Sequence, residues 1–168
     1  MRRALLVAAL VATVAACANE PRTTYLPPGG PAGDLTDATE SLVVAALGGV
    51  GLPAAEAVQP YRPPESALLA NAPRTVIQAT LPEDPNHGFI VIYAMQSPQA
   101  ADAAAAEQST FIASNRGGVF PRTSRFSLRV VGSTVVFFTW VPESAIDQRT
   151  VRIEEALLSV GSEVPVAR

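Results

Sequence analysis

Lysine is absent from this chain of 168 residues, cysteine and histidine occur once each, and aromatic residues make up only 6%. A single cysteine excludes an internal disulfide framework and a cysteine-cluster metal site, and a single histidine excludes a zinc site built from several histidines. Arginine supplies all 12 basic residues against 15 acidic ones, and the resulting net charge of −3 argues against a nucleic-acid-binding protein. The composition therefore predicts no metal, no cofactor and no nucleic-acid partner, while an apolar fraction of 48% excludes a disordered chain.

The amino terminus carries the clearest pattern that is present. Arg2 and Arg3 precede an apolar run over residues 4–16, which is shorter than a membrane span of ~20 residues but typical of a secretory signal. The run ends in the tetrapeptide VAAC at residues 14–17, so the only cysteine is Cys17. Together these features resemble the signal and lipobox of bacterial lipoproteins.

The resemblance implies that the Cys17 thiol is acylated with diacylglycerol and that residues 1–16 are removed as a signal peptide. Two or more acyl chains bind a membrane firmly, whereas one chain binds marginally. We therefore expect a protein of the cell envelope that is held on the extracytoplasmic side through a covalent lipid. Because Ala18 follows the cysteine, the sorting rule of enteric bacteria favours the outer membrane if the host has two membranes, and otherwise the outer face of the cell membrane. The alternative is an ordinary cleaved signal with a chance cysteine, which would leave a soluble secreted protein.

Proline and glycine separate this anchor from the remainder of the chain. Residues 17–35 contain Pro21, Pro27, Pro28 and Pro31 with no apolar period, which predicts a tether. Residues 36–168 have the length of one domain.

Hydrophobic periodicity predicts an α+β fold in which a mainly antiparallel sheet of about five strands has helices packed on one face, in the order α-β-β-β-α-β-β-α. The predicted helices cover residues 37–49, 98–116 and 147–160. The predicted strands cover residues 54–59, 75–81, 89–95, 126–131 and 134–141. A proline-rich irregular crossing is expected over residues 60–73.

Residues with catalytic potential are few. His87 lies in a turn beside Glu83 and Asp84, which could form an acid–base or metal cluster, but a flexible turn gives no fixed geometry. We expect a solvated loop there. No Gly-x-Ser-x-Gly elbow occurs, and an acylated Cys17 cannot act as a nucleophile. The sequence thus predicts a protein that is not an enzyme.

One segment of the chain is cationic. No acidic residue occurs between Glu107 and Glu143, yet four arginines do. Because guanidinium groups bind phosphate and carboxylate in a bidentate manner, the segment is a candidate site for an anionic glycolipid or an acidic envelope protein. The candidate binding residues are Arg116, Arg122, Arg125, Arg129 and Trp140. The alternative is that the arginines form structural ion pairs with helix carboxylates, from the set Asp102, Glu107, Glu154 and Glu155.

Alternation along the last two strands places Arg129, Phe138 and Trp140 on one face of the sheet. If no helix covers that face, an exposed aromatic patch would indicate a partner surface. The alternative is that both faces are covered, one of them by the crossing over residues 60–73.

These observations leave three hypotheses for the function. The first is a membrane-anchored, non-catalytic binding module of the cell envelope, for which Arg122, Arg125, Arg129 and Trp140 should form one contiguous exposed patch. The second is a structural or accessory subunit of a larger envelope complex. The third is a small envelope enzyme, which would require a deep pocket at Glu83, Asp84 or His87.

Overall fold

The computed structural model describes residues 30–167 as an antiparallel sheet with helices. Cys17, the predicted signal peptide and residues 17–29 of the predicted tether lie outside the described residues. The α-helices are α1 (Asp37–Gly49), α2 (Ala67–Asn71), α3 (Pro98–Ser114) and α4 (Thr150–Leu157). The strands are β1 (Ala54–Glu56), β2 (Arg74–Ala79), β3 (Phe89–Ala94), β4 (Arg125–Val131), β5 (Thr134–Trp140) and β6 (Ser162–Glu163).

The predicted α+β class and antiparallel pairing are confirmed. The sheet has six strands in the order β1-β2-β3-β5-β4-β6, one more than the predicted five or so. The additional strand, β6, pairs with β4 over only two residues, which is too short to give an alternating pattern in the sequence. β1 lies at the other edge, as its flanking prolines predict.

Helices cover both faces of this sheet, so the prediction of helices on one face is wrong. Alternate residues of β3 face opposite sides: Ile90 and Ile92 pack in the cluster that includes α1 and α4, whereas Val91 and Tyr93 pack in the cluster that includes α2 and α3. Every residue of β3 is buried. A continuous apolar run such as FIVIYA is typical of a strand that is buried on both faces.

The Trp140 face is covered, so the alternative that both faces of the sheet are covered is confirmed. α1 and α4 cover it, because Val43 and Leu157 belong to the same core cluster as Phe138. The proline-rich crossing instead packs on the opposite face, where Leu69 of α2 lies in the other cluster. An amphipathic pair of helices buries more apolar surface than an irregular segment can, which favours this arrangement.

The end of the predicted tether is attached to the sheet. Arg74 N–H donates to the Gly30 carbonyl (2.9 Å), and Ala32 N–H donates to the Arg74 carbonyl (3.2 Å). The Thr36 and Thr75 hydroxyls form a buried hydrogen bond of 2.7 Å. Residues 30–36 therefore continue the folded body. Across residues 30–167, no helix has the length and apolarity that crossing a bilayer demands.

Candidate functional site: a pocket at the end of the sheet

A pocket of about 320 Å³ opens at one end of the sheet. β3 and β5 are antiparallel neighbours with Ile90 opposite Phe138, so the start of β3 and the end of β5 meet there. The loop before β4 and the turn after β5 complete the walls. Most of the lining is apolar or aromatic, including Tyr61, Phe89, Phe120, Pro121, Phe138 and Trp140. A concave, mostly apolar pocket with a few polar groups is the usual form of a small-molecule site.

The polar wall of the pocket is formed by the turn between β2 and β3. Asp84 is 3% exposed, and its Oδ1 lies 2.5 Å from Nδ1 of His87, whose side chain is 62% exposed. Gln78 of β2 fixes the backbone of the turn, because its Nε2 donates to the carbonyls of Pro85 (2.8 Å) and His87 (3.2 Å). The expectation of a solvated loop without fixed geometry is therefore wrong for Asp84. Glu83 is exposed and donates its backbone N–H to Asp147, outside the pocket lining.

Trp140 is the candidate binding residue that the structure does place at the pocket. It lies at the end of β5 and is partly buried. Its Nε1–H donates to Oε2 of Glu154 on α4 (3.2 Å), which fixes the indole ring. The polar edge of the ring is thus satisfied within the protein, and what the ring can offer a ligand is apolar contact.

Arg129 is buried, and this excludes it from an exposed binding patch. Its side chain is 7% exposed, and its guanidinium donates to backbone carbonyls at the end of α4: Val160, Leu158 (3.1 Å) and Gly161 (3.0 Å). The predicted role in partner binding is corrected to a structural one. These partners are also not the helix carboxylates of the alternative prediction. They are carbonyls at the end of a helix, which lack partners inside the helix and bind a cation favourably.

The other three arginines of the cationic segment are exposed. Arg116 lies in the 3-10 turn that follows α3. Arg122 and Arg125 flank Ser124, which lines the pocket, and Arg125 pairs across the strands with Trp140. The structure thus brings Arg122, Arg125 and Trp140 to the same end of the sheet. Because Arg129 is buried, the single contiguous patch of four residues is not formed.

Two hydroxyl groups of the pocket lining donate to backbone carbonyls. Ser124 Oγ donates to the Pro121 carbonyl (2.9 Å), and Thr150 Oγ1 donates to the Asp147 carbonyl (2.8 Å). A hydroxyl that donates its one proton to a carbonyl is not paired with a general base, which nucleophilic catalysis requires. In the described structure, Ser124 and Thr150 are therefore hydrogen-bonded to the backbone and not to His87.

A second charged cluster lies under α2 and is fully paired. The buried carboxylate of Glu65 accepts from Tyr93 Oη–H (2.8 Å), Arg74 (2.5 Å) and Arg62 (2.9 Å). Burial, followed by the Glu65 charge, raises the pKa of Tyr93, which keeps its proton and its hydrogen bond. This arrangement satisfies a buried charge inside the fold. Within residues 30–167, no group of three or more His, Cys, Asp or Glu side chains could hold a metal ion.

Sequence reasoning missed the pocket because its walls come from segments far apart in the chain. The single local signal was the Asp84-x-x-His87 spacing, which a tight turn brings within hydrogen-bond distance. Comparison with known proteins gives no further assignment: no family model, no curated protein and no solved structure matches this chain.

Proposed function

We propose that the protein is a lipid-anchored lipoprotein of the cell envelope that binds a small ligand in the pocket beside Trp140 and does not turn it over. The observation that carries the binding part is the concave aromatic pocket, which has one polar wall. Pockets of this size, at the low end of the usual range of about 300–1,000 Å³, accept small ligands or the tip of a larger one.

The anchor part of the proposal rests on the sequence before Cys17. Cleavage there would remove two arginines and no acidic residue, so the mature chain would be more acidic than the precursor. An acidic body is repelled by anionic lipids, and membrane attachment would therefore depend on the acyl chains. The proposed palmitate or related acyl chains on Cys17 supply that attachment.

Substitution of the cysteine tests the anchor directly. Cys17→Ser should move the protein from the membrane fraction to the soluble fraction of the envelope. Mass spectrometry should detect the acyl mass on the amino-terminal peptide of the wild type and not on that of the variant. Thr13→Ser, a matched hydroxyl change within the apolar run, should leave both results unchanged. A Cys17→Ser protein that fractionates with membranes like the wild type would refute the anchor.

Filling the pocket tests the binding part. The probe is N-phenyl-1-naphthylamine, an uncharged apolar dye, added to the mature chain carrying Cys17→Ser, which cannot be acylated. Dye in the pocket should quench Trp140, the only tryptophan, by energy transfer. Ala145→Phe, at a partly buried pocket residue, should abolish the quenching, whereas Ala106→Phe on the exposed side of α3 should retain it. Equal quenching in the two variants would contradict a ligand pocket.

A second candidate is an accessory subunit of a larger envelope complex. Ile146 and Leu158 are 68% and 62% exposed near α4, which indicates apolar surface available to a protein partner. For either candidate, Arg116, Arg122 and Arg125 are the residues we propose for contact with an acidic protein or an anionic glycolipid. Recovery of the same partner after mild detergent extraction of wild-type protein, and its loss in Leu158→Glu, would favour the accessory role.

A further inference from the structure

We infer that the pocket binds an uncharged sugar ring of an envelope glycan, which stacks on Trp140 and forms hydrogen bonds with the Asp84–His87 pair. The inference rests on the pocket being the binding site, as proposed above, and adds the chemical class of the ligand. Its support comes from how apolar and polar groups are distributed around the cavity.

The first argument is the presence of a fixed aromatic platform. Glu154 holds the indole of Trp140 through Nε1, so the ring is oriented before any ligand arrives. Tyr61 and Phe89 stack on each other, with their centroids 4.6 Å apart, and form a second apolar wall. The C–H groups of a pyranose ring carry a slight positive charge and pack favourably on the negative face of an aromatic ring.

The second argument is a polar wall that is held in a defined orientation. The buried carboxylate of Asp84 positions Nδ1 of His87, and this leaves Nε2 as the ring nitrogen able to contact a ligand. Thr139 and Ser144 add hydroxyl groups to the same lining. A pocket with apolar rings on one side and hydrogen-bonding groups on another matches a sugar, which has C–H faces and a hydroxyl rim. A purely apolar ligand would leave the polar wall without hydrogen bonds, at a loss of affinity.

The third argument concerns charge. The pocket lining contains one carboxylate, that of Asp84, beside the imidazole of His87. A carboxylate repels an anion. An uncharged hexose or N-acetylhexosamine avoids this repulsion. Arg122 and Arg125 lie outside the pocket lining. A negatively charged substituent elsewhere on the glycan could contact these arginines at the rim of the pocket.

The experiment measures sugar binding to the mature Cys17→Ser chain by titration calorimetry and by saturation-transfer NMR of the ligand. The probes are N-acetylglucosamine, glucose and galactose and their disaccharides, with glucuronate as the anionic control and indole as the apolar control. We expect at least one uncharged sugar to bind more tightly than both controls. His87→Phe, which keeps a ring but removes the hydrogen bond, should weaken binding by up to about tenfold. Trp140→Ala should weaken it at least as much, whereas Asn86→Ala, on the same turn but outside the pocket lining, should bind like the wild type.

The outcomes separate this inference from the proposed function. If the dye binds in the pocket but no uncharged sugar does, the sugar assignment fails and the pocket remains a binding site. Tighter binding of indole or glucuronate than of every uncharged sugar would also overturn it. Loss of the dye signal in both Ala→Phe variants would instead remove the proposed function. Circular dichroism of each variant separates lost binding from lost folding, and an Asn86→Ala effect as large as that of His87→Phe would refute the role of the imidazole.

Discussion

The buried guanidinium of Arg129 gives the sharpest prediction about stability. Arg129 lies in β4 and donates to the carbonyls of Leu158, Val160 and Gly161, which follow the end of α4. The nearest carboxylate is Glu163, at 3.9 Å with its side chain 67% exposed, so backbone carbonyls are the main partners of this charge. The substitution Arg129→Met keeps much of the side-chain volume and removes every donor.

The magnitude follows from which carbonyls lose their partner. The bond to Val160 is buried, and an unsatisfied buried acceptor costs about 1–3 kcal/mol. The bonds to Leu158 and Gly161 are partly buried, so water can replace the donor and each loss should cost about 0.5–1 kcal/mol. Relief from burying a charge offsets part of this loss. We expect Arg129→Met to reduce the free energy of unfolding by about 2–3 kcal/mol.

The assay is urea unfolding of the mature Cys17→Ser chain, followed by Trp140 fluorescence and circular dichroism. Arg125→Met is the matched control, because this exposed arginine lies on the same strand and its change should stay within about 0.5 kcal/mol. Arg129→Lys keeps the charge but not the planar fork, so it should recover only part of the loss. An Arg129→Met protein as stable as the Arg125→Met protein would refute the view that this arginine stabilises the end of α4.

Two further predictions concern backbone and charge. Gly161 has φ +56° and a Cβ there would lie 2.2 Å from the Val130 carbonyl oxygen, so Gly161→Ala should cost about 3 kcal/mol or more in urea unfolding. Gly51→Ala, at φ +76° with nothing within 4 Å, should cost only about 1–2 kcal/mol, and equal losses would contradict the steric argument. Hydrogen bonds from the Arg149 side chain, followed by backbone N–H donors, lower the pKa of Asp147. The stabilisation that ionised Asp147 gives the folded protein should be complete above the ordinary aspartate pKa of about 3.9. It should be lost progressively as the pH falls from that value toward the lowered pKa of the folded state. Between about pH 6 and pH 2, the free energy of unfolding should therefore fall less steeply in Asp147→Asn and in Arg149→Gln than in the wild type. A wild-type slope in both variants would refute this assignment.

Local patterns predicted the elements more accurately than their packing. The helix that starts after Ser97 is confirmed, because Ser97 Oγ accepts the Ala100 N–H (3.1 Å) and Pro98 occupies the first turn. The hairpin of β4 and β5 is also confirmed, with Gly132 at φ +55° in its turn. α4 is shorter than predicted, since Thr150–Leu157 is helical while Val160 is buried beyond its end. The Ser97 cap and the Gly132 turn depend on neighbours in sequence, which pattern reasoning can use.

The sequence by itself determined the α+β class, the order of the elements other than α2 and β6, and the resemblance of the residues around Cys17 to a lipobox. It did so because capping, turn chemistry and hydrophobic periodicity act within a few residues. Tertiary structure alone decided that helices cover both faces, that Arg129 binds the end of α4, and that Asp84, His87 and Trp140 share a pocket. Those outcomes depend on which distant segments bury each other, and an arginine in the sequence has the same local pattern whether a helix end or water receives its hydrogen bonds.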